Sequence, residues 1–320
     1  MTRYFTEHIQ IITSDQLELP GLLFTPTKVT DKAAIYLHGN GDSSVFYSVK
    51  RMQAIAQALT DKGIAFLAFN NRGAHFIKIL NHHEEESARF ITTSGSKGRR
   101  QQETVQGSAY ELIRECEYDI NGGVNLLAEK GYKYLYLIGH STGANKICVY
   151  NHYQPNSPFR KFVLLSGGDD TGLLRKTMGD KFFYTALECA KKEVNRGRGL
   201  ELVPRSIYSG IMSFQSFYDM ANPDGEYNTF PFLEYLQHFK LSAKPLFRYF
   251  QAIARPMLVV YGENDEFVPD FKGSLAIQIL QEQLTLNQSC HFEIISGADH
   301  GFHNHEEEMA SVLADWLIQE

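Results

Sequence analysis

Short apolar runs alternate with segments of helical periodicity along this chain of 320 residues. Runs with the length and composition of strands buried on both faces lie at 33–37, 64–69, 134–138, 162–165, 256–262 and 291–295. Segments whose apolar residues recur at the spacing of amphipathic helices lie at 49–59, 120–127 and 309–317. This alternation predicts an α/β fold with a mostly parallel sheet flanked by helices.

Two segments interrupt the alternation. Residues 74–106 are polar and long for a connection in a compact domain, so we expect a functional or mobile loop there. Residues 169–253 combine helical composition with many aromatic side chains. The sequence therefore predicts a core formed by 1–168 and 254–320, and a helical insertion formed by 169–253.

The most informative motif is GHSTG at 139–143, between the apolar run 134–138 and the start of a helix. A G-x-S-x-G sequence at such a junction is the nucleophile elbow pattern. A side chain at Gly139 or Gly143 is expected to collide with the neighbouring strand and helix. The turn would project the Ser141 hydroxyl above the sheet, beside a helix N-terminus that favours negative charge. The alternative for Ser141 is an ordinary serine at a helix N-terminus.

Acidic residues and histidines follow the later strands, where open α/β sheets place site residues. A serine hydroxyl needs a base within hydrogen-bond reach, and the base needs a third group to hold its tautomer. The candidate bases are His300, His303 and His305. The candidate acids are Asp265, Glu263, Glu266 and Asp170, whereas Asp299 is not expected to face the ring of its neighbour His300.

Five motifs, spread over nearly the whole chain, resemble those of serine hydrolases of the α/β-hydrolase superfamily. They are HGNG at 38–41, NNRG at 70–73, GHSTG at 139–143, GENDEFVP at 262–269 and GADHGF at 297–302. The order Ser141, Asp265, His300 is also that of the superfamily. The resemblance implies that Ser141 is the nucleophile, His300 the base and Asp265 the acid that orients it.

The same resemblance implies the remaining parts of the site. The backbone amides of Asn40 and Thr142 would form the oxyanion hole, and the Asn40 side chain is either a further contact or a turn residue. The insertion 169–253 resembles a helical lid placed after the sixth strand. Its position and its aromatic composition predict that it covers the site and forms an aromatic, largely apolar pocket. Most of its aromatic residues are expected to form the core of the lid itself. The predicted substrate contacts are Phe214, Phe217 and Phe232.

A narrower resemblance rests on the segment from Gly107 to Ile120 and on Leu202-Val203-Pro204. These segments are similar to a little-characterised branch of the superfamily that includes fungal siderophore esterases. The similarity does not fix a substrate for this chain.

Two further polar features have a functional and a structural interpretation. The run HHEEE at 82–86 could hold a metal, but adjacent histidines rarely aim both rings at one ion, so a solvated loop is favoured. Arg72 could bind a carboxylate, and a structural hydrogen-bonding role is favoured. We expect no metal and no cofactor.

The composition of the chain mainly excludes certain classes of protein and site. With a net charge of −6 and a pI near 6.1, the chain has no general attraction to nucleic acid. Its cysteines are widely spaced, which argues against disulfides and zinc and favours buried positions for Cys116 and Cys148. The polar start at 1–10 and the lack of a long apolar run predict a cytoplasmic protein without a membrane span.

Together these patterns predict a serine hydrolase that cleaves a carboxylic ester of a small molecule through an acyl-enzyme. Thioester or amide hydrolysis and acyl transfer would use the same groups and remain open. A ligand-binding protein on a hydrolase scaffold is the alternative from another class, and the intact set of motifs argues against it.

Overall fold

An eight-stranded sheet forms the centre of the molecule in the computed structural model, and two further strands form a separate small sheet. The structure describes residues 4–41, 43–83 and 103–319. The strands are β1 (Tyr4–Ile12), β2 (Glu18–Pro26), β3 (Lys32–Leu37), β4 (Ala65–Phe69), β5 (Lys78–Asn81), β6 (Glu103–Gln106), β7 (Tyr134–His140), β8 (Phe159–Leu165), β9 (Met257–Gly262) and β10 (Cys290–Ile295). The helices are α1 (Val49–Asp61), α2 (Cys116–Glu129), α3 (Thr142–Tyr153), α4 (Asp170–Met178), α5 (Asp180–Asn195), α6 (Phe214–Ala221), α7 (Phe232–Gln237), α8 (Arg248–Gln251), α9 (Gly273–Glu282) and α10 (Glu306–Leu317).

The strand order of the large sheet is β1-β2-β4-β3-β7-β8-β9-β10. From β4 to β10 every neighbouring pair is parallel, whereas β2 pairs antiparallel with both β1 and β4. The prediction of a mostly parallel sheet is therefore confirmed. Because the carboxyl ends of parallel strands meet at one edge, the loops after β3, β7, β8, β9 and β10 converge there.

Apolar side chains cover both faces of the sheet. One cluster joins Ile35 and Leu137 of the sheet to Ile120 of α2 and Ile147 of α3. The cluster on the opposite face joins other strand residues to α1 and α10, including Ile55 and Leu313. Cys116 and Cys148 are buried in the first cluster, as predicted. Helices thus lie on both faces, which is the layered arrangement that strands buried on both sides require.

The helices α4 to α8 occupy the chain between β8, the sixth strand of the large sheet, and β9. Residues of α5 and α6, including Phe183 and Phe217, form a separate apolar cluster with Tyr227. The following part is continuous with the main core, because Phe232 and Phe250 belong to the cluster that contains α2 and α3. The first half also reaches the core, because Val149 of α3 belongs to the cluster of α5 and α6. The insertion is therefore packed on the core through both halves.

Part of the predicted loop 74–106 is a small hairpin, so the expectation of a loop is wrong there. Strands β5 and β6 pair antiparallel, and Leu80 is buried while its neighbour Ile79 is exposed. The rest of this segment, 84–102, lies outside the described residues, as does the acidic part of the HHEEE run. His82 contacts the Thr104 hydroxyl at 2.6 Å. Among the described residues, no group of His, Cys, Asp and Glu side chains could hold a metal ion.

A buried ion pair lies beneath the start of α3. The Lys146 ammonium is 2.6 Å from Glu111 Oε1, and the two side chains are 0% and 1% exposed. Lys146→Met would leave the Glu111 carboxylate buried without its cation, which typically costs about 3–5 kcal/mol. We expect that loss in the free energy of unfolding, measured in urea.

The exposed pair Lys130–Glu7 provides the control for this prediction. Lys130→Met is expected to change the free energy of unfolding by about 1 kcal/mol or less, because exposed ion pairs contribute little. Adding Glu111→Gln to Lys146→Met should recover part of the loss, since it removes the unpaired charge. Equal effects of Lys146→Met and Lys130→Met would contradict a structural role for the buried pair.

Candidate active site

Ser141 lies on a strained turn between β7 and α3. Its φ of 57° and ψ of −132° place it in a conformation that few non-glycine residues adopt. A Cβ at Gly139 would collide with the backbone of Gly143, and a Cβ at Gly143 would collide with the Leu37 carbonyl. A Cβ at Gly39 would lie 2.8 Å from the Ser141 Cβ. The expectation that glycines permit this turn is confirmed, and the loop after β3 approaches Ser141 closely.

Asp265 and His300 are joined by a hydrogen bond across the ends of β9 and β10. His300 Nδ1 lies 2.9 Å from Asp265 Oδ1, and the Asp265 side chain is 0% exposed. A carboxylate can only accept, so the proton belongs on Nδ1 and Nε2 is left as an acceptor. His300 and Ser141 line the same cleft. The role of His300 as the general base for Ser141 stays a prediction.

The alternative acids have other partners. Glu263 accepts from the Ser296 hydroxyl and the Gly297 amide. Glu266 accepts from the backbone amide of His300 at 3.0 Å, rather than from its ring. Asp170 accepts from the Thr142 hydroxyl. Among the described residues, only Asp265 is paired with the His300 ring.

The alternative bases are paired at the surface. His303 Nδ1 lies 2.8 Å from an oxygen of Asp299, and His305 Nδ1 lies 3.3 Å from an oxygen of Glu308. Asp299 thus faces His303 and not His300, as expected from its position. These contacts leave His300 as the histidine that is positioned by a buried acid.

The residues predicted to form the oxyanion hole both line the cleft. Thr142 is the first residue of α3, where a backbone amide has no acceptor within the helix. Asn40 lies in the turn after β3, and its side-chain oxygen accepts from the Gly41 amide at 2.7 Å. The Asn40 side chain is therefore used within its own turn. The role of the two amides stays a prediction.

His38 of the HGNG motif and Arg72 of the NNRG motif are both buried and bonded to other parts of the protein. His38 Nε2 accepts from the Asn71 amide at 3.1 Å, so its Nδ1 donates to the Gly39 carbonyl. Burial, together with the charge of Lys146, lowers the pKa of His38 well below its usual range.

Arg72 is buried among the carboxylates of Asp119, Asp15 and Glu115. Arg72 is thus a structural residue, as favoured from the sequence.

A brace of hydrogen bonds connects the nucleophile turn to the loop that carries His300. Arg51 of α1 reaches His140 Nδ1 at 3.1 Å with Nη1 and the Gly301 carbonyl at 2.7 Å with Nη2. Because arginine only donates, His140 Nδ1 accepts and its Nε2 donates to the His300 carbonyl at 2.8 Å. Burial and the Arg51 charge lower the pKa of His140 well below its usual range. The G-x-S-x-G motif gave no signal for this brace, because it does not specify the residue at its second position, which is His140 here.

The cleft around Ser141 has a volume of about 440 Å³. Tyr47 and Phe267, which the sequence did not place there, also line it, and so does Asp170, one of the candidate acids. The Phe267 ring lies edge-on to the His300 ring, with a centroid distance of 4.6 Å. Burial raises the pKa of Asp170 to about 6, although the Thr142 hydrogen bond and the charges of His300 and Lys146 oppose that shift.

The predicted substrate contacts lie elsewhere in the structure. Phe214 and Phe217 pack in the cluster of α5 and α6, and Phe232 packs in the main core. Their exposed fractions are 6%, 0% and 0%. None of the three is among the residues that line the cleft. Their assignment as substrate contacts stays a prediction, and their burial favours packing.

The sheet order, the nucleophile turn and the loops that meet beside it define an α/β-hydrolase fold. The model of the family described as "Protein of unknown function (DUF1749)" matches residues 112–320. The chain belongs to this family, which is a family of α/β-hydrolases. A comparison with curated proteins finds no match.

Solved structures share this fold over nearly their whole length. The ferulic acid complex of Est1E from Butyrivibrio proteoclasticus has a TM-score of 0.59 at 15% identity, covering 96% of this chain and 97% of that one. Esterase Pf2001 from Pyrococcus furiosus gives 0.58 at 18% identity, covering 98% and 91%. The α/β-hydrolase GrgF from Penicillium sp. sh18 gives a TM-score of 0.58 at 14% identity, covering 98% of this chain and 96% of that one.

Within the described residues, no helix has the length and apolar character needed to cross a membrane.

Proposed function

We propose that this protein is a serine hydrolase that cleaves a carboxylic ester of a small molecule. The observation that carries the proposal is the hydrogen bond of 2.9 Å between His300 Nδ1 and the buried Asp265, in a cleft shared with Ser141. A strained nucleophile turn and an oriented histidine are the parts that acyl transfer through serine requires.

The reaction proceeds in two halves. His300 Nε2 takes the hydroxyl proton of Ser141 as Oγ attacks the ester carbonyl, and the amides of Asn40 and Thr142 bind the oxyanion. Asp265 stabilises the imidazolium and holds its orientation. His300 then gives the proton to the leaving alkoxide, and the C–O bond to the alcohol breaks. In the second half His300 deprotonates a water that attacks the acyl-enzyme, which releases the acid and restores Ser141.

The structural neighbours agree with ester chemistry. Pf2001 is named an esterase, and Est1E was solved with ferulic acid bound. The same groups would also cleave a thioester or an amide, or transfer the acyl group to an alcohol, so the kind of bond has to be tested directly.

Labelling with a fluorophosphonate probe tests the proposal. The intact chain should be labelled, and peptide mass spectrometry should locate the adduct on Ser141. Hydrolysis of matched oxygen ester, thioester and amide substrates then identifies the bond that is cleaved. A protein that only binds ligands on a hydrolase scaffold would give neither labelling nor turnover.

Alanine substitutions test the predicted lid pocket at Phe214, Phe217 and Phe232. Their burial alone predicts a loss of about 3–5 kcal/mol in the free energy of unfolding for each variant. A pocket role predicts, in addition, an altered ratio of rates on bulky and small esters for at least one of them. Thermal unfolding and rates on an ester series measure both effects. Unchanged ratios in all three variants would make these residues core alone.

Arg51→Met tests the brace at the His300 loop. A hydrogen bond to a charged group contributes about 1.5–3 kcal/mol, so we expect kcat to fall roughly 10–100-fold with a smaller change in KM. The exposed neighbour Lys50 provides the control, and Lys50→Met should leave both constants unchanged. A change confined to the melting temperature, with kcat intact, would make the brace structural only.

A further inference from the structure

Asp170 lines the cleft, and one of its carboxylate oxygens has no partner among the described residues. It is the first residue of α4, directly after the loop that follows β8. Its Oδ2 accepts from the Thr142 hydroxyl at 3.1 Å, with Asn145 Nδ2 further away at 3.5 Å. Within the described residues Oδ1 has no hydrogen-bond partner, and the side chain is partly exposed where it lines the cleft. The Thr142 contact fixes the carboxylate beside the proposed oxyanion hole.

In the described part of the chain no lysine or arginine forms an ion pair with this carboxylate, and the nearby Lys146 is paired with Glu111. Arg51 is the only lysine or arginine that lines the cleft in the described part of the chain. Both of its terminal nitrogens are engaged, by His140 and by the Gly301 carbonyl. Glu266 adds a second carboxylate, with one oxygen on the His300 amide. As far as the described residues line it, the cleft therefore offers acceptors and negative charge to a ligand, and no free arginine or lysine.

A carboxylate in this position gains from a cationic ligand. Partial burial removes water from Asp170 and raises its pKa to about 6, so its charged form is solvated less well than that of a free aspartate. A protonated amine would restore that lost stabilisation through a charge-assisted hydrogen bond. A carboxylate or phosphate on the substrate would instead be repelled by Asp170 and Glu266.

We propose that Asp170 binds an ammonium group of the substrate, so that the site selects esters carrying a protonated amine near the scissile bond. This inference rests on the proposed ester hydrolysis. Asp170 is then a specificity residue of the same cleft, separate from Asp265, which orients His300. The neighbouring Thr142 links the two functions, because its side chain donates to Asp170 while its amide is proposed to bind the oxyanion.

The experiment compares esters that differ only in the amine. Ethyl 3-aminopropanoate and ethyl butanoate are isosteric, as are ethyl 6-aminohexanoate and ethyl heptanoate, and hydrolysis is followed by pH-stat at neutral pH. The wild-type protein should prefer the amine in at least one pair, as a ratio of kcat/KM values. Asp170→Asn keeps an acceptor for the Thr142 hydroxyl and removes the charge. A hydrogen bond between charged groups of about 1.5–3 kcal/mol predicts that the ratio falls roughly 10–100-fold.

Two matched variants make the result specific. Asp180→Asn removes an exposed carboxylate of the same insertion, away from the cleft, and should leave the ratio unchanged. Glu266→Gln should lower it less than Asp170→Asn does. If Glu266→Gln abolishes the preference and Asp170→Asn does not, the assignment to Asp170 is overturned. Equal losses on both members of a pair in Asp170→Asn would mean that Asp170 acts on the chemistry, which also overturns it.

The wild-type protein gives a further test that needs no variant. Propylammonium chloride should inhibit hydrolysis of ethyl butanoate more strongly than 1-butanol does at the same concentration and ionic strength. Equal inhibition would count against an ammonium site.

Failure of the inference is distinct from failure of the proposed function. Labelling of Ser141 and turnover of neutral esters without amine preference would overturn only the inference, whereas the absence of labelling and turnover would overturn both.

Discussion

Ser141→Ala is expected to abolish ester hydrolysis while the fold persists. The substitution removes the oxygen proposed to attack the ester and keeps the Cβ that faces Gly39, so the strained turn has no new reason to rearrange. Members of a catalytic triad act as a unit, and loss of the serine alone typically lowers kcat by roughly 10⁴–10⁶-fold. Steady-state rates on the best ester, together with circular dichroism, measure activity and fold in the same preparations.

The side-chain hydroxyl of the adjacent residue, Thr142, provides the control for this prediction. Thr142→Val removes a side-chain hydroxyl next to the nucleophile but keeps the backbone amide proposed for the oxyanion hole. Its effect should be far smaller than that of Ser141→Ala. Retention of more than about a tenth of the wild-type rate in Ser141→Ala would exclude Ser141 as the nucleophile, because that exceeds the residual rate of a triad without its serine.

The second large effect is expected for Asp265→Asn. In the wild-type protein the carboxylate accepts from His300 Nδ1, which leaves Nε2 as the acceptor that we propose takes the Ser141 proton. An asparagine amide facing Nδ1 would place the proton on Nε2, and a wrong tautomer of this kind lowers kcat by about 10⁴-fold. His300→Ala should be as severe as Ser141→Ala. Rates of ester hydrolysis and of fluorophosphonate labelling measure the loss.

The surface pair Asp299 and His303 supplies the matched controls for this second prediction. Asp299→Asn and His303→Ala alter an equivalent contact outside the proposed triad, so both should be mild. The assignment of the acid would be wrong if Asp265→Asn stayed active and Asp170→Asn lost all hydrolysis, on neutral and amino esters alike.

The parts of the fold that local patterns determine could be predicted. Continuous apolar runs mark strands buried on both faces, and β7, β8 and β9 lie where such runs occur. The hydrogen bond of Asp265 to His300 was also foreseen, because strand order and motif order together bring those loops to one edge. The edge strand β10 was foreseen, whereas β1 and β2 at the other edge were not located by any sequence pattern. Much of β1 is exposed, so it lacks a continuous apolar run.

Features that depend on contacts between distant segments could not be predicted. The His140 ring contacts Arg51, which is 89 positions away, and neither residue stands out in its local pattern. Asp170 was considered as a possible acid for His300, and its Thr142 contact depends on how β8 and α3 approach each other. The aromatic residues of the insertion suggested a pocket, yet composition does not distinguish a side chain facing substrate from one facing other aromatics.

The brace formed by Arg51 and His140 also limits how the site can move. A displacement of the loop that carries His300 would break the bonds to the His300 and Gly301 carbonyls and leave the Arg51 charge poorly solvated. Local opening of that loop is therefore coupled to opening of α1 and the nucleophile turn, and the helices α1 and α3 pack in the apolar cores on the two faces of the sheet. Substrate entry and product release must then depend on other borders of the cleft, such as the turn around Tyr47 and the exposed ring of Phe267.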